Sequence, residues 1–482
     1  MIDNRAMRIN LPAAFPLASL LLAGCAGDEG PALTASPAHG ALFGHYDVTF
    51  SGDLAQLGDI SSVTVGGIHA YALRPESDTL TVTLQGAPEP GPADVVVDGA
   101  SGRAVRHGLF TFDPPPAGVP LGWLAFGASL TQGTESLGVN SHSQLHAVSG
   151  VIARQAGVFL ALPLFTDGML PGLQVSDFAP DCTTTKSQDN FLNGLVAALT
   201  DPQTQLIDLR RGRIDPTLTA RNLAIGGSKL SDVVQGGTGT IALLEHIVEE
   251  PDIAPGKILE QLDVSQLDRI EKLDPDVGFS TDLLANDVDP AVVAADDLHP
   301  ELITPVDTVE PLLGELTQRL GALHGQFFIA NLPYLTFIPD VELLRAKRIA
   351  AGTDTAASFD AKVQQIDDLT DGYNAALTQA MAPYPNLHLV DFRGEVETIR
   401  SAGISVGGEL CTVAHFGGLL SLDDLHFTDT GYALYANVLI DAIDQTLGAQ
   451  IPRADVDAVH ADDALAPSKL RTAGFTCVPP PM

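Results

Sequence analysis

The stretch Gly127-Ala128-Ser129-Leu130-Thr131-Gln132-Gly133 decides how this chain is read. It follows a short apolar run, Leu121 to Phe126, and stands far upstream of Asp423-Asp424-Leu425-His426. A small residue, a serine and a leucine at the end of a strand place a hydroxyl on a strand-to-loop turn. Such a hydroxyl is a poor nucleophile until a base takes its proton. His426 would be that base, and Asp423 would hold its tautomer and stabilise the imidazolium that forms. Alone, Gly-x-Ser-Leu reads as an ordinary turn, so the surrounding pattern has to carry the case.

From Trp123 onward, short apolar runs alternate with helical periodicity. Trp123 to Phe126, Asn222 to Ile225, Phe327 to Ala330 and His388 to Val390 read as buried strands. Val306, Val309, Leu312, Leu313, Leu316, Leu320 and Leu323 recur at three- and four-residue spacing and predict an amphipathic helix. Residues 359–382 read as helix, and Thr430 to Leu447 as a final one. This alternation predicts an α/β fold, a parallel sheet with helices on both faces and ligands at the carboxyl ends of its strands. Residues 134–220 form a long insertion, with a helix near 146–156, expected to cover part of the site. Its apolar segment Val158 to Phe165 suits either an acyl substrate or a covering strand in the core.

The region before residue 121 reads differently. Tyr46 to Phe50, Ser62 to Val65, Thr79 to Leu84, Ala93 to Val97 and Gly108 to Phe112 are short runs separated by Gly, Pro and Asp turns. That is the pattern of a small all-β sandwich over residues 34–113. By its strand spacing and its Val65-Gly66-Gly67 turn it resembles the IPT/TIG immunoglobulin-like domains. No catalytic constellation falls within it. Residues 114–120 form a stiff linker, because consecutive prolines favour extended geometry.

At the N-terminus, Arg5 and Arg8 precede the apolar run Leu11 to Ala23, too short to span a bilayer but suited to a signal-peptide core. Leu22-Ala23-Gly24-Cys25 resembles the bacterial lipobox. The resemblance implies loss of residues 1–24 and a membrane anchor on lipidated Cys25, followed by a tether over residues 25–33. Ala26, in place of the aspartate associated with inner-membrane retention, points to an outer-membrane lipoprotein, periplasmic or surface-facing. Met7 is an alternative start that keeps both features. An exported chain meets an oxidising compartment, so Cys182, Cys411 and Cys477 allow one disulfide with three pairings open. The spacing of the cysteines and of His142, His246 and His415 suggests no metal site, and no cofactor is expected.

With these residues in view, residues 121–450 resemble an SGNH/GDSL hydrolase, followed by a tail over residues 451–482. Gly127-Ala128-Ser129-Leu130 matches the family's first block, with Ser129 as nucleophile. Asn222 to Ser228 matches the second, with Gly227 as oxyanion glycine. Leu284-Ala285-Asn286-Asp287 matches the third, with Asn286 as oxyanion amide. Asp423-x-x-His426 matches the last, supported by Thr428 and the Gly431-Tyr432-Ala433-Leu434 helix start. The resemblance implies a flavodoxin-like three-layer αβα domain and a serine ester hydrolase working through an acyl-enzyme. The oxyanion would meet the Ser129 and Gly227 N–H groups and the Asn286 amide. The substrate class stays open between acyl lipids or simple esters and O-acylated sugars.

The chain departs from that pattern at three places. Ala128 replaces the usual aspartate, Leu284 replaces a glycine after the polar run Ser280-Thr281-Asp282, and Phe427 replaces the proline after the histidine. Two other strings compete. Asp296-Asp297-Leu298-His299-Pro300 fits Asp-x-x-His-Pro better than the chosen pair, but it lies in a proline-broken loop without a following Gly-Tyr-Ala helix. Gly403-Ile404-Ser405-Val406-Gly407 fits the nucleophile-elbow string, but no strong helix pattern follows it. The 482-residue length suggests two domains plus processing segments. A net charge of −35 argues against nucleic acid as a partner. Two other functions fit the same residues: a catalytically retired envelope binding protein, and an acyltransferase that uses Ser129 but excludes water.

Overall fold

In the alternating runs of the first region, successive side chains point to opposite faces, so one face of each run is buried. The structure, a computed structural model, describes residues 27–166, 172–184, 213–215, 217–238, 264–294 and 296–478; the lipobox and Cys25 lie outside them. One sheet is built from β1 (Leu33–Ser36), β3 (Phe43–Gly52), β6 (Tyr71–Pro75) and β7 (Thr79–Gly86), in the order β1-β3-β7-β6. A second contains β2 (His39–Gly40), β4 (Ile60–Val65), β5 (Ile68–His69), β8 (Gly91–Gly99) and β9 (Gly102–Phe112), in the order β2-β9-β8-β4-β5. Val48, Phe50, Leu80 and Val82 from the first share a core with Val63, Val95, Val97 and Phe110 from the second. The expected runs all lie within strands. Residues 28–30 lie against β9 as well, where Arg106 binds the carbonyls of Glu29 and Gly30 at 2.6 and 2.7 Å.

Past the linker, β10 (Trp123–Ala125), β11 (Val277–Ser280), β12 (Gln326–Ala330) and β13 (Leu387–Val390) pair in parallel, in that order. Every β11 side chain is buried, which matches a strand covered on both faces. The segment after Asn222 joins only by a parallel bridge to Ala125 on the outer side of β10. It was expected as a full strand. Leu223 N and Ile225 N reach Ala125 O and Gly127 O at 2.8 and 3.2 Å, while on the outer side Asn222 Oδ1 takes the Ala224 N–H at 3.2 Å and Nδ2 reaches Thr131 O at 2.8 Å. The sheet therefore grows to one side from β10 to residue 222, then to the other from β10 to β11. Ligands of open α/β sheets bind at such a reversal, outside the carboxyl ends of the strands.

The helices needed below are α1 (Ser129–Gln132), α2 (Ser141–His146), α3 (Val148–Ala156), α4 (Leu230–Gln235), α5 (Gln266–Leu273), α6 (Ala285–Val288), α7 (Val306–Gly321), α8 (Pro339–Ala351), α9 (Ala356–Met381), α10 (Phe392–Ala402) and α11 (Asp429–Leu447). They fall into two packing groups: α2, α3 and α11 touch one another, and α4, α5, α7 and α9 form the other set. Among the described residues no helix is long and apolar enough to cross a membrane.

Val158 to Phe165 forms neither a strand nor a substrate wall. Val158, Leu160, Leu162 and Leu164 enter the core around the parallel sheet, whereas Phe159 and Ala161 enter the sandwich core. Alternation along an extended chain thus joins two hydrophobic cores. The C-terminal stretch, expected as a tail, continues past α11 into α12 (Val456–Asp462) and α13 (Pro467–Thr472). Its final turn is tied to the insertion by a Cys182–Cys477 disulfide, with Cα atoms 6.0 Å apart; Cys411 is buried and free. Of the three pairings left open, this is the one formed.

Candidate active site

The nucleophile turn begins where β10 ends. Gly127 has φ +124°, and a Cβ there would lie 2.5 Å from Ser280 Oγ and 2.9 Å from Asp282 Oδ1, so only glycine fits. α1 opens at Ser129, whose N–H therefore has no intrahelical acceptor. Around it, Asp282 accepts hydrogen bonds from Ala128 N at 3.1 Å, Leu130 N at 2.6 Å, Thr131 N at 3.4 Å and Thr131 Oγ1 at 2.7 Å. The carboxylate binds the backbone on both sides of Ser129 and passes over Ser129 itself. Burial raises its pKa, and these four donors oppose the rise. Two departures from the family pattern thus meet: position 128 lacks a carboxylate, and the polar end of β11 brings one to the same turn.

The last block folds into a tight loop before α11. His426 Nδ1 lies 2.7 Å from Asp423 Oδ2. Asp423 also accepts from His426 N at 2.8 Å, Leu425 N at 3.0 Å, Ser421 Oγ at 3.1 Å and Leu137 N at 2.6 Å. Burial alone would raise the Asp423 pKa, but the His426 charge and these donors outweigh it and hold the group at about 2. For His426, burial lowers the pKa, and Asp423, then Asp289 and Asp282, more than compensate, so the imidazole sits above its ordinary value. With Nδ1–H directed at Asp423, Nε2 is the basic nitrogen. Thr428 caps α11 by accepting from Gly431 N at 3.2 Å, which fixes the loop from its far end.

The second and third blocks are tied to each other. Asn286 Nδ2 donates to Ser228 O at 3.0 Å, and Asp287 Oδ2 accepts from Leu230 N at 2.9 Å. Gly226 N binds Gln132 Oε1 at 2.8 Å, and a Cβ on Gly226 would stand 3.5 Å from Ser129 Cβ. Gly227, with φ +86°, shares the turn with Gly226.

Ser129, Asn286 and His426 line one cavity, with Asp423 behind the histidine. Gly227 is not on its wall. No hydrogen bond joins Ser129 Oγ to His426 among the described residues; such bonds often tighten only around substrate. The remaining wall is mostly apolar, with Leu130, Leu332, Phe337, Ile338 and Phe427. Phe427, at the position of the family's proline, stacks on Tyr435 with centroids 4.2 Å apart. Two polar atoms in this wall, Asp289 Oδ1 and Tyr435 Oη, are buried and have no hydrogen-bond partner among the described residues. Burial raises the Asp289 pKa to about 6 against the opposing charge of His426.

Comparison with known proteins finds no matching family model and no matching curated protein. Among solved structures, a carbohydrate acetylesterase from Xanthomonas citri overlaps at TM-score 0.20 and 11% identity, over 76% of this chain and 69% of that one. Protein YxiM from Bacillus subtilis overlaps at TM-score 0.21 and 11% identity, over 90% of this chain and 80% of that one. Overlaps this loose assign neither a fold nor an activity.

The competing strings lie elsewhere. His299 contacts Asp296 at 3.3 Å and Glu301 at 2.8 Å at the surface, off the cavity wall. Ser405 sits in a two-stranded hairpin, β14 (Ile404–Val406) with β15 (Glu409–Cys411), with no helix directly after it. His415 binds Asp424 at 2.6 Å, and His246 lies outside the described residues. The sequence reading missed Asp282, Asp289 and Tyr435, whose positions depend on tertiary approach. His142 and His146 stand one turn apart on α2 and group with Asp429, a cluster that the spacing of His142, His246 and His415 does not suggest.

Proposed function

We propose that this chain is an exported, lipid-anchored serine ester hydrolase of the SGNH/GDSL type. In this reading a flavodoxin-like αβα domain over residues 121–450 follows an IPT/TIG-like sandwich, and lipidated Cys25 anchors both to the outer membrane. The observation that carries the reading is the convergence of Ser129, Asn286 and His426 on one cavity, with Asp423 bound to the histidine behind it. Ser129 Oγ attacks the ester carbonyl and passes its proton to His426 Nε2. The Ser129 and Gly227 N–H groups and the Asn286 amide stabilise the oxyanion. The alcohol leaves with that proton, and a water activated by the same nitrogen releases the acid. No step needs a cofactor.

The apolar wall suits a short acyl chain. The substrate class this supports is a short-chain ester, of a simple alcohol or of a sugar. The test compares nitrophenyl acetate, nitrophenyl octanoate and an acetylated oligosaccharide, each with wild type and Ser129→Ala. Acetate release that depends on Ser129 supports the reading. Absence of hydrolysis from all three would favour the retired binding protein, and transfer to an added alcohol in place of hydrolysis would favour the acyltransferase.

A further inference from the structure

Three residues after His426, Asp429 opens α11 within reach of two histidines on α2. His142 Nε2 lies 3.1 Å from Asp429 Oδ2, and the His142 and His146 rings meet at a tilt of 33° with centroids 4.1 Å apart. One ligand atom from each of the three residues lies within 4.8 Å of the other two. His146 Nδ1 donates to the His142 carbonyl at 2.8 Å, the outer hydrogen bond that typically orients a metal-binding imidazole and leaves its Nε2 lone pair outward. Asp429 is only 5% exposed, yet its Oδ1 has no hydrogen-bond partner among the described residues.

We propose that His142, His146 and Asp429 bind one divalent transition-metal ion, zinc by the character of the donors. Two imidazole nitrogens and a carboxylate suit zinc, whereas calcium and magnesium prefer all-oxygen shells. Tetrahedral zinc with bonds of about 2.0–2.2 Å separates its ligand atoms by about 3.4 Å. The His142–Asp429 spacing is already close to that. The ion would staple α2 to the first turn of α11 and so brace the loop that carries His426. It takes no part in the proposed ester chemistry, and its presence is independent of that reading.

The test uses the full chain, prepared without a polyhistidine tag and stripped with a chelator, then titrated calorimetrically with zinc chloride. One equivalent should bind, and the melting temperature should rise with zinc but not with calcium. His146→Ala and His142→Ala should each weaken binding at least about tenfold and remove the thermal shift. The metal-free melting temperatures of both variants should stay near wild type, which separates lost binding from lost folding. No saturable uptake, unchanged affinity in both variants, or an equal response to calcium would overturn the proposal.

Discussion

Two Asp-x-x-His segments in this chain differ in almost everything except their letters. Asp423 and His426 are buried, with side chains 1% and 6% exposed, and the aspartate is held by five donors. Asp296 is 81% exposed, and His299 divides its nitrogens between two carboxylates. A surface ion pair of the second kind contributes little, because water screens it. The first couples a dry carboxylate to an imidazole whose other nitrogen faces a cavity. An Asp-x-x-His string therefore says little about chemistry until burial and a neighbouring nucleophile are known.

The largest expected effect breaks the two segments apart. His426→Ala should lower kcat/KM on a nitrophenyl ester by about 10⁴-fold or more, while His299→Ala leaves it unchanged. Equal losses in both variants, or retained activity in His426→Ala, would reverse the assignment. Next, Asn286→Ala should cost about 10²–10³-fold in kcat with its melting temperature nearly intact, as loss of one oxyanion donor does. A loss confined to KM would make Asn286 a binding residue.

Asp282 sharpens the comparison on the stability side. Asp282→Ala strands three backbone N–H groups and a hydroxyl, so urea unfolding should show a loss of about 3 kcal/mol or more. Removal of the exposed Asp296 carboxylate should move stability by less than about 0.5 kcal/mol.

The smallest effect concerns pH. His426 must be neutral to act as base, and its pKa is raised, so kcat/KM should fall as pH drops through a value above 6.5. Asp289 is one of the negative groups behind that rise. Asp289→Asn should therefore shift the acidic limb to lower pH, and a limb that stays in place would remove Asp289 from the electrostatics of the site.

The parts of this account that could be read from the sequence are those with local periodicity. The three- and four-residue spacing in 306–323 forms α7 over Val306–Gly321, and the apolar run 327–330 lies in β12. Ser129, Asn286 and His426 came from separate blocks and share a cavity wall. Asn222 to Ile225 meets β10 through a bridge rather than a full strand, and the Asn222 amide contacts with Thr131 and Ala224 there are invisible to hydropathy. Asp282 read as an oddly polar strand end, since its partners are about 150 residues away in sequence. Val158 to Phe165 looked like a substrate wall or a strand because alternation does not reveal that two different cores receive the two faces.

The central claim, that Ser129 is an activated nucleophile, is tested most directly by reaction with a fluorophosphonate probe and peptide mapping of the adduct. The account expects a single covalent adduct on Ser129, absent in Ser129→Ala and much slower in His426→Ala. An intact chain that takes up no probe, or an adduct that maps to another serine, would contradict it.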